Sequence, residues 1–244
     1  MTVPNEFTRR MPAAIISCIT MKRLALNSFR IAATVCLVLA GISCRTSSHT
    51  TSKAVWTSIF NGRSTEGWQM AGPGELRLEN DELVTYGGMG MLWYTKEKFG
   101  DCRIRVTFKP TSAQDNSGVF IRIPEAPRDP WSAVNRGYEV QIENHGDEWH
   151  RTGCLYSISK AKKIVKARVN EWNTMLITLE GKRTRVSVNG VLVTDFSEGD
   201  PVPPKTEDYE PDRGIRPNSG YIGLQNHDEK GHVHFREVSV APLE

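Results

Sequence analysis

Short segments in which apolar and polar residues alternate recur along the chain from Glu75 to Pro242. Successive side chains of a β-strand point to opposite faces, so this alternation predicts strands that bury one face in a core. No window predicts an amphipathic helix of more than two turns. The clearest segments are ELRLENDELVTY, DCRIRVTFKP, SGVFIRIP, GYEVQIEN, NTMLITLEGKRTRVSVNGVLVTDF, GYIGLQN and VHFREVSVAP.

Turn residues separate these segments at short intervals. Asn189-Gly190, between RVSV and VLVTDF, predicts a hairpin with a type I′ turn, and Asn80-Asp81 divides two further runs. Many short strands joined by turns are typical of sandwiches and jelly rolls. We therefore expect an all-β fold with two sheets, in one domain over residues 55–244.

Two loops are longer than connectors need to be. Residues 124–136 lead directly into GYEVQIEN, and residues 200–217 contain five prolines and precede GYIGLQNHD. Loops of this length inside a compact domain are usually either functional or disordered. Both adjoin segments rich in polar groups, so we expect them to flank a site.

The segment GYEVQIEN carries an unusual polar stripe. Glu139, Gln141 and Glu143 alternate with three apolar residues, so one strand face holds two carboxyl groups and an amide. The simplest interpretation is a strand face in water. The alternative is a row of functional groups in a groove.

The N-terminal region has the pattern of an export signal. From Met21, the basic MKRLALNSFR precedes the apolar IAATVCLVLAGI and then Ser43-Cys44. The run is too short for a membrane-spanning helix, which needs about 20 residues. We expect residues 1–20 to be an upstream extension, 21–43 a signal peptide and 44–54 a polar linker.

The residues around the end of the signal resemble a bacterial lipoprotein site, with Cys44 as the lipidated residue, although Gly41 stands where such sites usually have Leu. The expected location is therefore outside the cytoplasm, as a periplasmic or outer-membrane lipoprotein. Contact with a membrane is expected only through this anchor.

The excess of basic residues belongs to the export signal. Five of the 31 Lys and Arg residues and one of the 28 Asp and Glu residues precede Cys44, which leaves 26 and 27 and a net charge of −1. A nucleic-acid partner therefore has no electrostatic support. The domain retains two cysteines, Cys102 and Cys154, which either form a disulfide or are buried as free thiols.

Several motifs, in this order, resemble the 3-keto-disaccharide hydrolase family: IFNGRSTEGW, LWYTKEKFGDCRIRVTFK, NSGVFIR, GYEVQIEN, TGCLY, EWNTMLITLEGKRTRVSVNGVLV and GYIGLQNHD with VHFREVSV. The resemblance implies a concanavalin A-like lectin/glucanase jelly-roll fold. It also implies an enzyme that cleaves glycosides whose sugar is oxidised to a ketone at C3. It also implies that the polar stripe lies along a groove. Two alternatives stay open: a non-catalytic, lectin-like carbohydrate-binding module and a conventional two-carboxylate glycoside hydrolase.

The chemistry of a 3-keto sugar favours elimination. The ketone acidifies the C2 hydrogen, so the reaction needs a base, a donor to the enolate oxygen and an acid for the leaving oxygen. A conventional glycosidase needs carboxyl groups about 5–9.5 Å apart, whereas strand rise separates the Cα atoms of Glu139 and Glu143 by about 13 Å.

Candidate residues follow for each role in the elimination. The base is His227 or Glu139, while Arg122 and Gln141 donate to the ketone oxygen and Glu143 positions hydroxyl groups or protonates the leaving oxygen. Asn116 either binds substrate or serves a turn. Trp93, Trp131 and Tyr156 are candidates for stacking on the sugar. No cofactor is expected; the alternative is a divalent metal held by His227, Asp228 and Glu229.

Overall fold

The computed structural model describes residues 54–227 and 229–243. The predicted signal peptide, the lipidation site Cys44 and nearly all of the linker lie outside the described residues, and so does Asp228. Within the described part, no helix is long and apolar enough to span a membrane.

The described residues form β-strands almost throughout, with one short helix. In chain order the elements are β1 (Thr57–Phe60), β2 (Trp68–Ala71), β3 (Glu75–Glu79), β4 (Glu82–Tyr86), β5 (Gly90–Tyr94), β6 (Cys102–Pro110), β7 (Asn116–Ile123), α1 (Pro130–Arg136), β8 (Tyr138–Glu143), β9 (Asn173–Glu180), β10 (Arg183–Val188), β11 (Val191–Ser197), β12 (Tyr221–Asn226) and β13 (Val233–Pro242). The predicted all-β class is confirmed. The sequence patterns did not predict β1, β2 and β5.

The strands make two antiparallel sheets. The larger sheet has the order β11-β10-β9-β6-β13-β4-β3, with β1 paired to β13. The smaller sheet has the order β2-β5-β12-β7-β8. β8 is at one edge of this smaller sheet, and residues 152–156 lie along its outer side with backbone hydrogen bonds to Glu139, Gln141 and Glu143.

The main core lies between the sheets. Alternate residues of β6 and β8 enter it, among them Ile104, Val106, Val140 and Ile142, all with at most 1% of their surface exposed. Burial of each such side chain contributes about 1.5–3 kcal/mol to the stability of the fold. A shift of one residue in strand pairing would move these side chains to the opposite face of the sheet, so their burial fixes the register.

The predicted turn at Asn189-Gly190 is confirmed. Both residues have positive φ values, 50° and 81°, as a type I′ turn requires, and β10 pairs with β11 across it. Asn80 and Asp81 have the same conformation between β3 and β4. Asn, Asp and Gly occupy these positions because they tolerate left-handed backbone at low cost.

The loop 124–136 contains α1. Asp129 caps this helix by accepting a hydrogen bond from the Ser132 backbone N–H at 2.8 Å, and Pro130 occupies the first turn, where no backbone donor is needed. Ala133 and Val134 pack on the outer face of the smaller sheet in a second apolar cluster. The helix is thereby fixed over that face.

The loop 200–217, here called the strap, is held by two arginines. Arg216 is 5% exposed and donates through Nε to the Gly137 carbonyl at 2.8 Å. Arg213 donates to the Pro203 carbonyl at 2.8 Å and pairs with Glu210 at 3.2 Å. These contacts give the strap a defined path, so the alternative of a disordered loop is not supported.

Candidate functional site

The polar stripe of β8 is not a strand face in water. Tyr138, Val140 and Ile142 enter the main core, while Glu139 and Gln141 point to the opposite face of the smaller sheet and are only 5% and 2% exposed. Burial of a carboxyl group and an amide costs free energy unless they are hydrogen-bonded. The interpretation as a solvated strand face is therefore wrong.

A cavity of about 480 Å³ opens above this stripe. Its floor comes from β7, β8 and β12, and its walls come from α1, from the segment that follows β8 and from the strap. Such a volume falls in the range of small-molecule sites, about 300–1,000 Å³. The lining residues are Met89, Asn116, Trp131, Val134, Glu139, Gln141, Glu143, Gly146, His150, Tyr156, Tyr209, Gln225 and His227.

Glu139 lies at the floor of the cavity over Gly118. A Cβ atom at residue 118 would be 2.5 Å from Glu139 Oε1, so the carboxyl group occupies space that only glycine leaves open. Burial raises the pKa of Glu139 to about 8, against the opposing effect of a hydrogen bond from Gln225 and with a smaller increase from the charge of Glu143. This carboxyl group can therefore exchange a proton near neutral pH.

The Gln141 amide orients its neighbours. Its Nε2 donates to Asn116 Oδ1 at 2.9 Å and to Glu143 Oε2 at 3.1 Å, which uses both N–H groups. Gln141 therefore has no donor left for a ketone oxygen, in contrast to the prediction. Since Asn116 Oδ1 accepts from Gln141, the Asn116 NH₂ group is the part of that side chain available as a donor to a ligand.

Two amide oxygens of side chains at the floor have unused acceptor capacity. Gln141 Oε1 and Gln225 Oε1 are buried and have no hydrogen-bond partner among the described residues. A buried acceptor without a partner costs about 1–3 kcal/mol, so a hydroxyl group that reached either oxygen would bind favourably. Sugars supply such hydroxyl groups.

The predicted placement of Arg122 in the groove is wrong. Its φ of 54° interrupts the alternation of β7, so Ile123 takes the outer face and the Arg122 side chain turns inward. The guanidinium donates to the carbonyl oxygens of Pro217 at 2.9 Å and Gly181 at 2.8 Å. Arg122 is 2% exposed and ties the strap to the β9–β10 turn.

The predicted stacking residues have different environments. Trp93 is 6% exposed and packs with Phe120 and Ala133 in the cluster under α1, so its prediction as a sugar-stacking residue is wrong. Trp131 and Tyr156 line the cavity. Burial raises the pKa of the Tyr156 phenol, and the charge of Glu139 adds to this, so the hydroxyl group stays protonated and can donate.

His227 lines the cavity from an exposed position directly after β12. The alternative of a metal site on His227, Asp228 and Glu229 depends on a residue outside the described range. Among the described residues, no group of three His, Cys, Asp or Glu side chains is arranged to hold a metal ion. Cys102 and Cys154 are buried free thiols, as the second cysteine alternative predicted.

Sequence reasoning missed three cavity residues whose side chains can hydrogen-bond a ligand. His150 follows β8 and has Nδ1 2.7 Å from Asp147 Oδ1 and Nε2 2.9 Å from Ser157 Oγ. Gln225 lies on β12 and bonds Glu139, and Tyr209 reaches the cavity from the strap. Only Gln225 had a local signal, because alternation along GYIGLQN places it opposite Leu224.

The fold and the cavity together define a jelly-roll protein with a cavity of small-molecule size, lined by carboxyl, amide and aromatic side chains. The family model described as the 3-keto-alpha-glucoside-1,2-lyase-like domain matches residues 55–241, so the chain belongs to that family. This confirms the resemblance drawn from the sequence motifs. No curated protein matches the chain.

Several solved structures are similar in fold. A candidate glycosyl hydrolase from Parabacteroides distasonis is 22% identical with a TM-score of 0.62, over 78% of this chain and 94% of that one. A second structure with the same description and source is 21% identical with a TM-score of 0.62, over 78% and 100%. A galectin-like protein of unknown function from Bacillus subtilis is 12% identical with a TM-score of 0.51, over 77% and 98%.

Proposed function

We propose that the protein cleaves the glycosidic bond of glycosides whose sugar is oxidised to a ketone at C3. The observation that carries the proposal is Glu139, a buried carboxyl group whose pKa of about 8 suits proton transfer at neutral pH. Membership of a family described as lyase-like supports the same chemistry. The ligand is thus a glycoside or oligosaccharide oxidised at C3.

In the first step, the Glu139 carboxylate removes the hydrogen on C2 as a proton. The electron pair of the C–H bond forms the C2–C3 double bond of an enolate, whose negative charge lies on the former ketone oxygen. The C3 ketone then re-forms, the electron pair makes the C1–C2 double bond, and the bond from C1 to the leaving oxygen breaks as that oxygen takes a proton. Water then adds its oxygen to C1 and C2 regains a proton. His227, at the cavity rim, remains the second candidate base.

The donors to the ketone oxygen differ from those expected from the sequence. With Arg122 turned inward and the Gln141 donors in use, we assign the donor role to the Asn116 NH₂ group and the Tyr156 hydroxyl group, two neutral donors that line the cavity. Preorganised donors of this kind stabilise a developing enolate without reorganisation. Glu143, paired with Gln141, positions hydroxyl groups or protonates the leaving oxygen.

The rim of the cavity supplies aromatic surface for the sugar. Trp131 on α1 is 45% exposed and Tyr209 on the strap is 56% exposed. They are the two exposed aromatic residues of the described chain, and both line this cavity. Aromatic faces at the rim and polar groups at the floor suit a ring with hydroxyl groups and an apolar face.

A lectin-like module is the main alternative function. It would bind sugar through the same hydroxyl acceptors and aromatic rings, but it would gain nothing from a buried carboxyl group that titrates near neutral pH. The decisive test is turnover. The domain is incubated with a 3-keto glycoside and with the same glycoside before oxidation, and release of the leaving group is followed.

We expect release from the 3-keto glycoside alone, with deuterium at C2 of the product when the reaction runs in heavy water. Hydrolysis of both substrates without deuterium at C2 would support the two-carboxylate alternative. Binding without turnover of either substrate would support the lectin-like alternative.

We also propose, from the sequence pattern, that the protein is exported and lipidated at Cys44. The test is metabolic labelling with palmitate in a bacterial host. Labelling of the wild type and its loss in Cys44→Ala are expected, whereas equal labelling of both proteins would refute the anchor.

A further inference from the structure

A segment rich in basic residues lies beside one edge of the larger sheet. Residues 160–168, KAKKIVKAR, contain five Lys and Arg residues and no acidic residue, although the chain after Cys44 has a net charge of −1. All five basic residues are exposed, and Ile164 among them is 62% exposed. Lysines around an exposed aliphatic side chain are typical of a surface that contacts a membrane.

Hydrogen bonds hold this basic segment against the hairpin of β10 and β11. The Lys162 backbone N–H donates to the Val193 carbonyl at 2.8 Å. Further along, the Arg168 backbone N–H donates to Asn173 Oδ1 at 2.8 Å. Asn189 Nδ2, in the hairpin turn, donates to the same oxygen at 2.8 Å. The basic segment therefore follows the edge of the hairpin from Val193 to the turn.

The part of β11 between these contacts adds exposed aliphatic side chains. Val191 is 37% exposed and Leu192 is 42% exposed. Val193 enters the main core, so alternation directs Leu192 to the outer face of the larger sheet. The combined surface, here called the edge patch, consists of Lys162, Lys163, Ile164, Lys166, Val191 and Leu192.

Two lysines of the edge patch carry a positive charge that no carboxylate offsets. The basic segment forms three ion pairs of 3.2–3.4 Å, through Lys160, Lys162 and Arg168. Lys163 and Lys166, in contrast, form no ion pair with any described residue. An anionic lipid surface offers negative headgroups to these lysines and an apolar layer to the aliphatic side chains. A soluble anion would leave the aliphatic side chains in water.

The start of the domain lies on the same face as Leu192. Trp56 packs on Arg105 of β6, with the guanidinium carbon 4.4 Å from the ring centroid. The pairing of β6, β9, β10 and β11 places Arg105 and Leu192 at the same level, three strand spacings or about 14 Å apart. The ten residues 45–54 can span at most about 35 Å. A lipid on Cys44 would therefore keep the edge patch within reach of the membrane.

We propose that the edge patch binds the surface of a membrane that contains anionic lipids, with its lysines at the headgroups and Ile164 and Leu192 at the boundary of the acyl chains. This contact is additional to the anchor expected at Cys44. The edge patch belongs to the larger sheet and the cavity opens on the smaller sheet, so docking leaves the cavity free for a soluble ligand. The proposal does not depend on the reaction in the cavity.

The test is acetylation of amines in the full chain incorporated into lipid vesicles, with the rate at each lysine measured by mass spectrometry. Vesicles of phosphatidylcholine are compared with vesicles that also contain phosphatidylglycerol. Each basic residue near an anionic surface strengthens binding about fivefold, so two favour the docked state about 30-fold. We expect phosphatidylglycerol to slow acetylation of Lys163 and Lys166 by on the order of tenfold. Lys182, exposed in the β9–β10 turn, should keep its rate.

Ile164→Ser tests the aliphatic part of the edge patch. Loss of one aliphatic side chain from the lipid should weaken docking about tenfold, so most of the slowing at Lys163 and Lys166 should disappear. Ile215→Ser is the matched control, because Ile215 is 75% exposed on the strap and lies outside the edge patch. It should keep the slowing. Thermal unfolding checks that both variants are folded.

Equal acetylation rates on both kinds of vesicle would overturn the proposal. Slowing that extends equally to Lys182 would also overturn it, because the contact would then not be specific to the edge patch. Slowing that persists unchanged in Ile164→Ser would show a purely electrostatic contact, and equal slowing by soluble dextran sulfate would then identify an anionic polymer as the partner. Because no glycoside is present, failure of this proposal and failure of the proposed reaction give separate results.

Discussion

Replacing Glu139 by Gln is expected to raise stability at high pH and to lower activity. The pKa of Glu139 is about 8 in the folded protein, against an ordinary value of 4.5. At about 1.4 kcal/mol for each pKa unit, the shift corresponds to about 5 kcal/mol. The cause is burial of the carboxyl group, which makes its ionised form unfavourable.

The sign of the stability effect follows from proton release. Between about pH 4.5 and pH 8, unfolded chains have lost the proton that the folded protein still holds, so the free energy of unfolding falls as pH rises. Above about pH 8 both states are ionised and the effect is constant. The amide introduced by Glu139→Gln has no proton to release in this range. The free energy of unfolding of the variant therefore does not decrease through this residue as pH rises.

The assay compares urea unfolding of both proteins at about pH 4, pH 6.5 and pH 9. The quantity compared is the free energy of unfolding of the variant minus that of the wild type. This difference should be about 5 kcal/mol larger at about pH 9 than at about pH 4. Subtraction cancels groups that both proteins share. Glu125→Gln, an exposed glutamate of the loop 124–136, controls for the loss of one negative charge.

Activity supplies the second half of the test. Loss of a positioned base should lower turnover of a 3-keto glycoside by about 10²–10⁴. A stability difference that does not vary with pH would refute the reasoning, because the carboxyl group would then ionise as it does in water. A stable variant with full turnover would remove Glu139 from the reaction and leave His227 as the base.

Four further outcomes are expected. With Glu139 as the base, kcat/KM of the wild type should rise with pH and level off near pH 8, and a flat profile from pH 6 to 9 would contradict it. Gly118→Ala should displace the Glu139 carboxyl group and lower kcat by about tenfold or more. Thermal unfolding should show a loss of stability of about 1–3 kcal/mol from overpacking. An unchanged kcat would show that the position of the carboxyl group is not critical. Tyr156→Phe should lower kcat by about 10²–10³ with little change in KM, and a change in KM alone would indicate binding without a donor role. Arg122→Met should lower the free energy of unfolding by about 3 kcal/mol or more because buried carbonyl oxygens lose their donor. The folded variant should keep its turnover rate within about threefold of the wild-type rate. A large loss of turnover in the folded variant would indicate that Arg122 acts in the reaction.

The alternation of residues by itself determined the fold class and the faces of β8. A period of two places Val140 and Ile142 on one side and Glu139 and Gln141 on the other, whatever lies around them. The Asn189-Gly190 turn was likewise local, because few residues adopt positive φ at low cost. The family was also readable from motifs along the chain.

The alternation pattern could not predict where a side chain lies when a single backbone angle or contacts distant in the sequence determine it. Arg122 has a positive φ that no local pattern indicated, and its partners at Pro217 and Gly181 are far away in the sequence. The apolar packing of Trp93 depends on α1, which the alternation pattern did not reveal.

The chemistry of the cavity was decided only by the tertiary structure. The sequence placed Glu139 on a strand, but its proton affinity depends on Gly118, on Gln225 of β12 and on the segments that close over it. Desolvation acts through space on any group that these segments surround, regardless of separation along the chain. The same strand face would be an ordinary wet surface without the strap and α1, which is why the sequence left both interpretations open and the fold selected one.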